Sequence, residues 1–292
     1  MSNQFNRLRT FIVAVLDTCT RFTEDLGALV MREPPKFRAV MDTKKRLWEQ
    51  NENITYSFIG GAPCQHAKVK TIMAQWSWYA NLTFEEEPSG GTIRISFDDN
   101  DTCWSTVGKQ AQTIESLAPT MNLSGINSES TDITPKERGD ILHEFGHVHG
   151  YQHEHQSPVR TLKFIKQGIL EHEDNVNMSK KEIKRNIYLV LSTQQFSNYS
   201  RFDPESIMMY PIHASYTQEG IVIPHRTQLS DIDKAYAVLH YHRTTPHENA
   251  PDWTLERALD VLQITGSYMD QMLESRGPEG IRELFSRWNT SM

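Results

Sequence analysis

The residues of this sequence best suited to chemistry lie in one short run, where three histidines, a glutamate and a glycine occur at fixed spacing. His147 follows His143 by four positions, and His153 follows His147 by six. On a helix, residues four apart project about 40° from one another, so the first two imidazoles share one face. Imidazole nitrogens are common ligands of Zn²⁺, and catalytic sites keep three protein ligands and one open position. The spacing therefore predicts one zinc ion per chain, bound by these three histidines.

Two other residues of the run have a defined place in this hypothesis. Gly150 lies where the chain must turn sharply if His153 is to return to the metal, and glycine adopts the positive φ of such a turn without steric cost. Glu144 follows the first ligand directly, so it can reach the open coordination position. Zinc lowers the pKa of a water in that position to about 7. Glu144 is therefore predicted to act as the general base, taking a proton from this zinc-bound water and passing it to the leaving amine.

Alternatives to this interpretation stay open. An isolated HExxH pattern also occurs on ordinary charged helices, but the added glycine and third histidine reduce a chance occurrence to the order of 10⁻⁴. A structural zinc site is the stronger alternative, although such sites usually have four protein ligands. His149 projects about 120° from the ligand face and is predicted to be a packing or surface residue. His155 is predicted to lie at the surface or to support the ligands.

The helix that carries the first two histidines has clear boundary signals. Thr134 suits the N-cap, Pro135 suits the first helical position, and Glu137 completes a capping box. Gly150 is placed to end the helix in a left-handed conformation. The buried stripe of this helix, on the side opposite the two histidines, is predicted to consist of Ile141, Phe145 and Val148.

Strand signals precede this helix and helix signals follow it, which favours an α+β fold. Runs rich in β-formers predict strands at 54–59 and 93–97, and a third extended segment at 118–123. Apolar residues at helical spacing predict helices near 69–79, 183–191, 231–239, 255–262 and 281–288.

The composition indicates a folded protein without a nucleic-acid partner. The 292 residues include 38% hydrophobic and 23% charged residues, and the formal net charge is −7, whereas phosphate binding requires a basic surface. No run approaches the roughly 18 apolar residues that span a bilayer. The apolar segment 11–16 is short and ends at Asp17, so it predicts an amphipathic helix rather than a signal peptide. Three cysteines do not form a disulfide framework, so the fold depends on its core.

The pattern HExxHxxGxxH resembles the metzincin clan of zinc peptidases. Tyr151, the sequence His153-Glu154-His155 and the segment 206–210 (SIMMY) narrow the resemblance to the astacin family, over roughly residues 40 to 243. The resemblance implies an α+β, metzincin-type fold. In this fold a twisted mixed sheet and the active-site helix lie above a cleft, and an irregular, partly helical lower half contains the Met-turn. It also implies a secreted zinc endopeptidase that acts on proteins or peptides.

The resemblance assigns roles to further residues. Met208 would form the hydrophobic floor beneath the zinc. Tyr210 would bind zinc in the resting enzyme and swing out to stabilise the oxyanion, for which a phenol is a suitable donor. Glu154 would contact the N-terminus of the mature enzyme. The segment 103–108 resembles a family block ahead of the edge strand, and 118–123 would be that strand, to which a peptide adds in extended form.

The sequence also departs from the family pattern. Members typically contain two disulfides, whereas Cys103 has no obvious partner, and Met209 replaces a histidine in the Met-turn. We interpret residues 1–35 as an N-terminal helical extension and candidate pro-segment, 36–245 as the catalytic domain and 246–292 as a C-terminal helical extension. In the first segment Cys19 is a candidate latency ligand, since thiolates bind zinc well, although a buried core cysteine is the commoner role.

Two rival functions are consistent with these segments. The first is a catalytically silent zinc-binding module that captures peptides, or a latent zymogen. The second is an interaction protein whose C-terminal helix binds a partner. The apolar stripe for that partner would be Ile281, Leu284, Phe285 and Trp288, although packing onto the catalytic domain is the commoner fate of such a stripe. No sequence feature indicates the oligomeric state.

Overall fold

A small sheet and two long helices position the histidine run. The computed structural model of the protein describes residues 46–99, 103–115, 117–172, 183–190, 202–275 and 277–291. The predicted N-terminal extension 1–35, including Cys19, lies outside these residues. Among the described helices, none combines the length and the apolar character that a membrane span requires.

Five short strands form one mixed sheet. They are β1 (Asn53–Ile59), β2 (Thr83–Glu86), β3 (Ile93–Ser96), β4 (Trp104–Ser105) and β5 (Met121–Asn122). Their order is β2-β1-β3-β5-β4, and every pair is parallel except β4 with β5. The predicted strands at 54–59 and 93–97 are confirmed by β1 and β3. The sequence did not predict β2, because three of its four residues are exposed and it has no alternating apolar pattern.

The prediction that 118–123 forms the edge strand is wrong. Only Met121 and Asn122 belong to a strand, and this strand lies between β3 and β4. Both residues are buried, as expected of an inner strand. The edge is formed by β4, which comes from the block predicted to precede the edge strand. An extended segment can be recognised from its own residues, but its neighbours in the sheet cannot.

Seven α-helices are present in the described part of the chain. They are α1 (Pro63–Ser77), α2 (Pro135–Val148), α3 (Lys166–Glu171), α4 (Asp231–His240), α5 (Leu255–Val261), α6 (Ser267–Leu273) and α7 (Pro278–Ser291). The predicted capping box of α2 is confirmed, and Ser230 caps α4 in the same way. The predicted helix near 183–191 is a single π-type turn, Lys184–Tyr188, over its described residues. Helix α6 was not predicted.

Apolar side chains of the described residues form three clusters. The first fills the space between the sheet, α1 and α2, and the second lies around Met209 below the cleft. The third joins α4 to α5, α6 and α7, so the stripe of α7 is packed: Ile281, Phe285 and Trp288 are buried. This third cluster takes residues from both sides of position 245, and the domain boundary there stays a prediction.

A buried ion pair fixes the amino end of α2 against α1. Lys68 Nζ lies 2.6 Å from Glu137 Oε1, and the side chains are 1% and 5% exposed. Glu137 also accepts hydrogen bonds from the backbone N–H groups of Thr134 and Asn127. Burial alone would raise the pKa of Glu137, but Lys68 and these donors outweigh it and lower the pKa to about 2. The capping glutamate is therefore held ionised inside the protein.

Replacing Lys68 with methionine is expected to lower the free energy of unfolding by about 3–5 kcal/mol at pH 7, because it leaves a buried carboxylate without its cation. Urea denaturation measures the loss. Since the folded-state pKa of Glu137 lies below its ordinary value of 4.5, its contribution is present above about pH 5 and declines as the pH falls towards 2.

The matched control is Lys70→Met, since Lys70 is on the same helix but its ion pair with Glu86 is exposed. This control is expected to change stability by less than about 1 kcal/mol. Equal losses in the two variants would contradict the role given to the buried pair.

Candidate metal centre

Helix α2 ends in a sharp turn that redirects the chain toward the cleft. The prediction that Ile141, Phe145 and Val148 are buried is confirmed. The helix ends at Val148, and Gly150 has a φ of +98°. The N–H of Gly150 donates to the carbonyl of His147 (2.8 Å), and the N–H of Tyr151 donates to that of Gly146 (3.1 Å). These bonds satisfy the last carbonyls of the helix within one turn.

The turn brings the three predicted ligands together. One ligand atom from each of His143, His147 and His153 lies within 4.8 Å of the others. The Nε2 atoms of His147 and His153 are 3.1 Å apart. Two nitrogens on a tetrahedral zinc, each at about 2.0–2.1 Å from the metal, would be about 3.3 Å apart. The spacing of these imidazoles therefore fits a zinc ion.

Hydrogen bonds fix the tautomers of two of the histidines. Nδ1 of His143 lies 2.7 Å from the carbonyl oxygen of Ile207, and Nδ1 of His147 lies 2.8 Å from that of Tyr151. A carbonyl oxygen only accepts, so Nδ1 carries the proton and Nε2 presents a lone pair. Burial lowers the pKa of His143 to about 3 and that of His147 to about 4. Both side chains are therefore neutral at pH 7, as metal binding requires.

Glu144 lies beside the ligands with one carboxylate oxygen uncommitted. The side chain is buried, and Oε2 has no hydrogen-bond partner among the described residues. Burial raises the pKa of Glu144 well above its ordinary value, and the nearby charge of Asp140 adds to this effect. Together with His143 and Tyr210, Glu144 lines a cleft of about 430 Å³.

Met208 packs beneath α2 because of a glycine that the sequence reasoning missed. A Cβ atom at Gly146 would lie 2.2 Å from the Sδ of Met208. The carbonyl of Met208 accepts a hydrogen bond from the N–H of Glu154 (2.9 Å), next to the third ligand. The sequence did contain a signal for this contact, namely a glycine inside the helix between two of the histidines. Glycine destabilises a helix interior by about 1 kcal/mol relative to alanine, so its presence there indicates close packing.

Tyr210 lies next to the ligands, as the resemblance implied. Its ring centroid is 4.2 Å from that of His153 and 4.5 Å from that of His155. His155 is fully buried, so the surface alternative for this residue is wrong, and it contacts the ligand and the tyrosine. His149 is also fully buried and stacks on Trp76, in agreement with a packing role.

Two acidic side chains hold the backbone of the Met-turn and of the segment before it, and one of these side chains was not predicted. Asp233 accepts hydrogen bonds from the N–H of Ile207 (2.7 Å) and the hydroxyl of Ser206 (2.7 Å). Glu154 Oε1 accepts from the N–H of Asp203 (2.9 Å). Burial raises the pKa of Asp233 to about 6 and that of Glu154 to about 8. The capping box of α4 signalled only the local bond of Asp233, not its second bond to the Met-turn.

The far wall of the cleft carries a charged group of side chains. Asp140, one turn before Glu144 on α2, is hydrogen-bonded to Lys136 (2.5 Å) and His225 (3.0 Å). Burial raises the pKa of Asp140, but these two donors outweigh it and lower the pKa below its ordinary value. Cys103 also lines this wall, and within the described residues Cys103 and Cys64 are free thiols.

Alanine at position 146 is expected to destabilise the protein by about 1–3 kcal/mol, although alanine is the better helix former. The new methyl group would force Met208 away from the underside of α2. Thermal unfolding measures the effect. The control is the same substitution made in a Met208→Ala background, that is, Gly146→Ala/Met208→Ala compared with Met208→Ala. The cost of the alanine should be smaller when Met208 is already truncated. A Gly146→Ala protein that is more stable than the wild type would contradict this packing.

Comparisons with known proteins agree with this geometry. Residues 40–242 match the model of the peptidase family described as Astacin. A solved structure of myroilysin is 32% identical, with a TM-score of 0.63 over 69% of this chain and 98% of that one. A crystal structure of myroilysin is 30% identical, with a TM-score of 0.52 over 73% of this chain and 98% of that one. No curated protein sequence matches. This chain therefore belongs to the astacin family of zinc metalloendopeptidases.

Proposed function

We propose that this protein cleaves peptide bonds with one zinc ion bound by His143, His147 and His153, with Glu144 as general base and Tyr210 as oxyanion donor. The observation that carries the proposal is that the three histidines converge, while Glu144 and Tyr210 line the same cleft as His143. An intact glutamate beside three ligands favours catalysis over a closed structural site.

The ligand set requires neutral imidazoles with fixed lone pairs. His143 and His147 each donate a hydrogen bond from Nδ1 to a backbone carbonyl, which leaves the lone pair on Nε2 free to bind a metal. When bound, zinc would lower the pKa of a water molecule and polarise the scissile carbonyl. The protein then has to move protons and stabilise negative charge.

Glu144 is suited to the proton transfers. Its Oε2 has no competing hydrogen bond within the described residues, and burial makes the carboxylate a better proton acceptor than an exposed glutamate. We propose that it takes a proton from the attacking water and delivers this proton to the leaving nitrogen. Asp140, held ionised by Lys136 and His225, adds a negative charge that supports this basicity.

Tyr210 is suited to stabilising the developing oxyanion. Its ring lies beside His153 and His155 and lines the cleft, so we propose that a small movement directs the hydroxyl toward the carbonyl of a bound peptide. A phenol donates a hydrogen bond to this charge without adding a charge of its own. Met208 supports the ligands from below, and Gly150 places the third ligand.

Peptide substrates are proposed to bind in extended form along β4. This strand forms one edge of the sheet and packs against α2, and Cys103, which precedes it, lines the cleft. Addition of a peptide strand to a sheet edge is a common mode of peptide recognition.

Glutamine at position 144 is expected to abolish most cleavage while leaving zinc bound. The change removes the proton acceptor but keeps the shape, so casein cleavage should fall by about 10²–10⁴-fold. Metal analysis of both purified proteins should find one zinc per chain. Equal cleavage by the variant would contradict the role of Glu144.

If neither protein cleaves casein, the same pair is to be tested without residues 1–35. Activity that appears only on deletion would identify a latent zymogen, and a Cys19→Ser variant of the full chain would test the candidate latency thiol. Zinc binding without cleavage in every form would favour the peptide-capture module.

Phenylalanine at position 210 is expected to lower kcat by about 10²–10³-fold, because it removes the hydrogen-bond donor to the oxyanion. KM and zinc content should change little, since the ring and the three ligands remain. Steady-state cleavage of a fluorogenic peptide separates the two constants. A variant with unchanged kcat would exclude Tyr210 as the donor.

A further inference from the structure

We propose that Arg282, on the C-terminal helix α7, is a positioning residue of the metal centre. It acts through His240 and Tyr241, which hold the turn that carries the zinc ligands. The inference rests on the ligand set of the proposed function. It gives the helices beyond the catalytic segment a part in holding the metal.

The carboxyl end of α2 is fixed by two side chains that are distant in sequence. The carbonyl of Val148 accepts a hydrogen bond from the indole Nε1 of Trp48 (2.6 Å), and that of His149 accepts one from the hydroxyl of Tyr241 (2.7 Å). The backbone N–H of Trp48 in turn donates to the Tyr241 oxygen (3.3 Å). These carbonyls belong to the two residues before Gly150, so the bonds set the direction in which the chain leaves the helix toward His153.

The next residue of the turn connects the same region to a second ligand. The carbonyl of Tyr151 accepts the Nδ1 proton of His147 (2.8 Å). The ring of Tyr151 stacks on that of His240, with centroids 5.8 Å apart. Displacement of His240 would therefore move the group that fixes the tautomer of His147.

Arg282 contacts both of these supporting residues. Its Nε donates to the carbonyl of His240 (2.8 Å), and its guanidinium lies 5.1 Å from the centroid of the Tyr241 ring. Phe285, one turn further along α7, lies 5.3 Å from the His240 ring. Two residues of α7 thus contact the His240–Tyr241 pair directly.

Packing of α7 does not explain a cation at this position. The Arg282 residue is 7% exposed, and its Nη2 nitrogen has no hydrogen-bond partner within the described residues. The ion pair of Arg282 within the described residues is a 4.0 Å contact with Glu279, whose side chain is largely exposed. An apolar side chain would fill a buried helix contact without this desolvation cost. The bonds of the arginine go instead to the residues behind the metal centre.

The test compares zinc release from Arg282→Met and Arg287→Met in the full-length protein. Methionine keeps most of the aliphatic volume but removes the hydrogen bond and the charge. Arg287 is the matched control, because it is an exposed arginine on the same helix. Zinc transfer to a chromogenic chelator gives the release rate, and circular dichroism at the same temperature checks that each protein is folded.

We expect the zinc of Arg282→Met to be released about 10–100-fold faster than in the wild type, as for residues that orient metal ligands. Arg287→Met should match the wild type. A folded Arg282→Met protein with the wild-type release rate would overturn the proposal, even if its melting temperature were lower. A wild-type protein that binds no zinc would instead show that the ligand set is wrong.

Tyr241→Phe provides a second test if Arg282→Met does not fold. It removes only the hydroxyl that bonds the His149 carbonyl, and it should also accelerate zinc release. If Arg282→Met does fold, adding it to Tyr241→Phe should accelerate zinc release less than it does alone, because both changes act through Tyr241. Fully additive effects, or an unchanged rate in Tyr241→Phe, would overturn the connection through Tyr241.

Discussion

The metal centre depends on one backbone constraint, the reversal of the chain at Gly150. If α2 continued straight, six residues at 1.5 Å each would carry His153 about 9 Å along the helix axis from His147. The positive φ of Gly150 removes that separation and leaves the two Nε2 atoms 3.1 Å apart. A Cβ at this glycine would also lie 2.9 Å from Leu47. A side chain at position 150 is therefore disfavoured both by the backbone conformation and by this contact.

The parts of the site that do not belong to α2 are held by buried polar groups with specific backbone partners. Asp233 binds the N–H of Ile207, whose carbonyl in turn binds His143, so one carboxylate supports both the Met-turn and a ligand. Glu154, next to His153, accepts a hydrogen bond from the N–H of Asp203 and so connects the third histidine to the segment before the Met-turn. A buried carboxylate that binds backbone N–H groups cannot shift without losing them, and this gives an irregular segment the rigidity that a helix has by itself.

The sequence predicted the parts of the site that depend on local signals. Helix α2, its capping box and its buried stripe follow from residue types at helical spacing, and the convergence of the three histidines follows from their spacing and a glycine. The strand at 121–122 was placed at the wrong position in the sheet, because pairing is decided by neighbours far along the chain. The contact of Gly146 with Met208 and the second bond of Asp233 were missed for the same reason, and the choice between a surface and a supporting position for His155 stayed open. Each joins residues from separate elements, and no periodicity encodes such a contact.

The long separations in the chain have a consequence for the order in which the protein is made. Trp48 and Tyr241, which meet behind α2, are 193 positions apart, and Trp48 and Val148 are 100 apart. Synthesis proceeds from the N-terminus, so the histidine run leaves the ribosome well before Tyr241 and α7 exist. The nascent chain thus carries the three histidines proposed to bind zinc before it can hold them in place. Closing so long a loop is slow relative to forming a helix, so the ligand-bearing turn is secured among the last events of folding. A protein-cutting enzyme assembled in this order can secure its metal site only after Tyr241 and α7 have been synthesised.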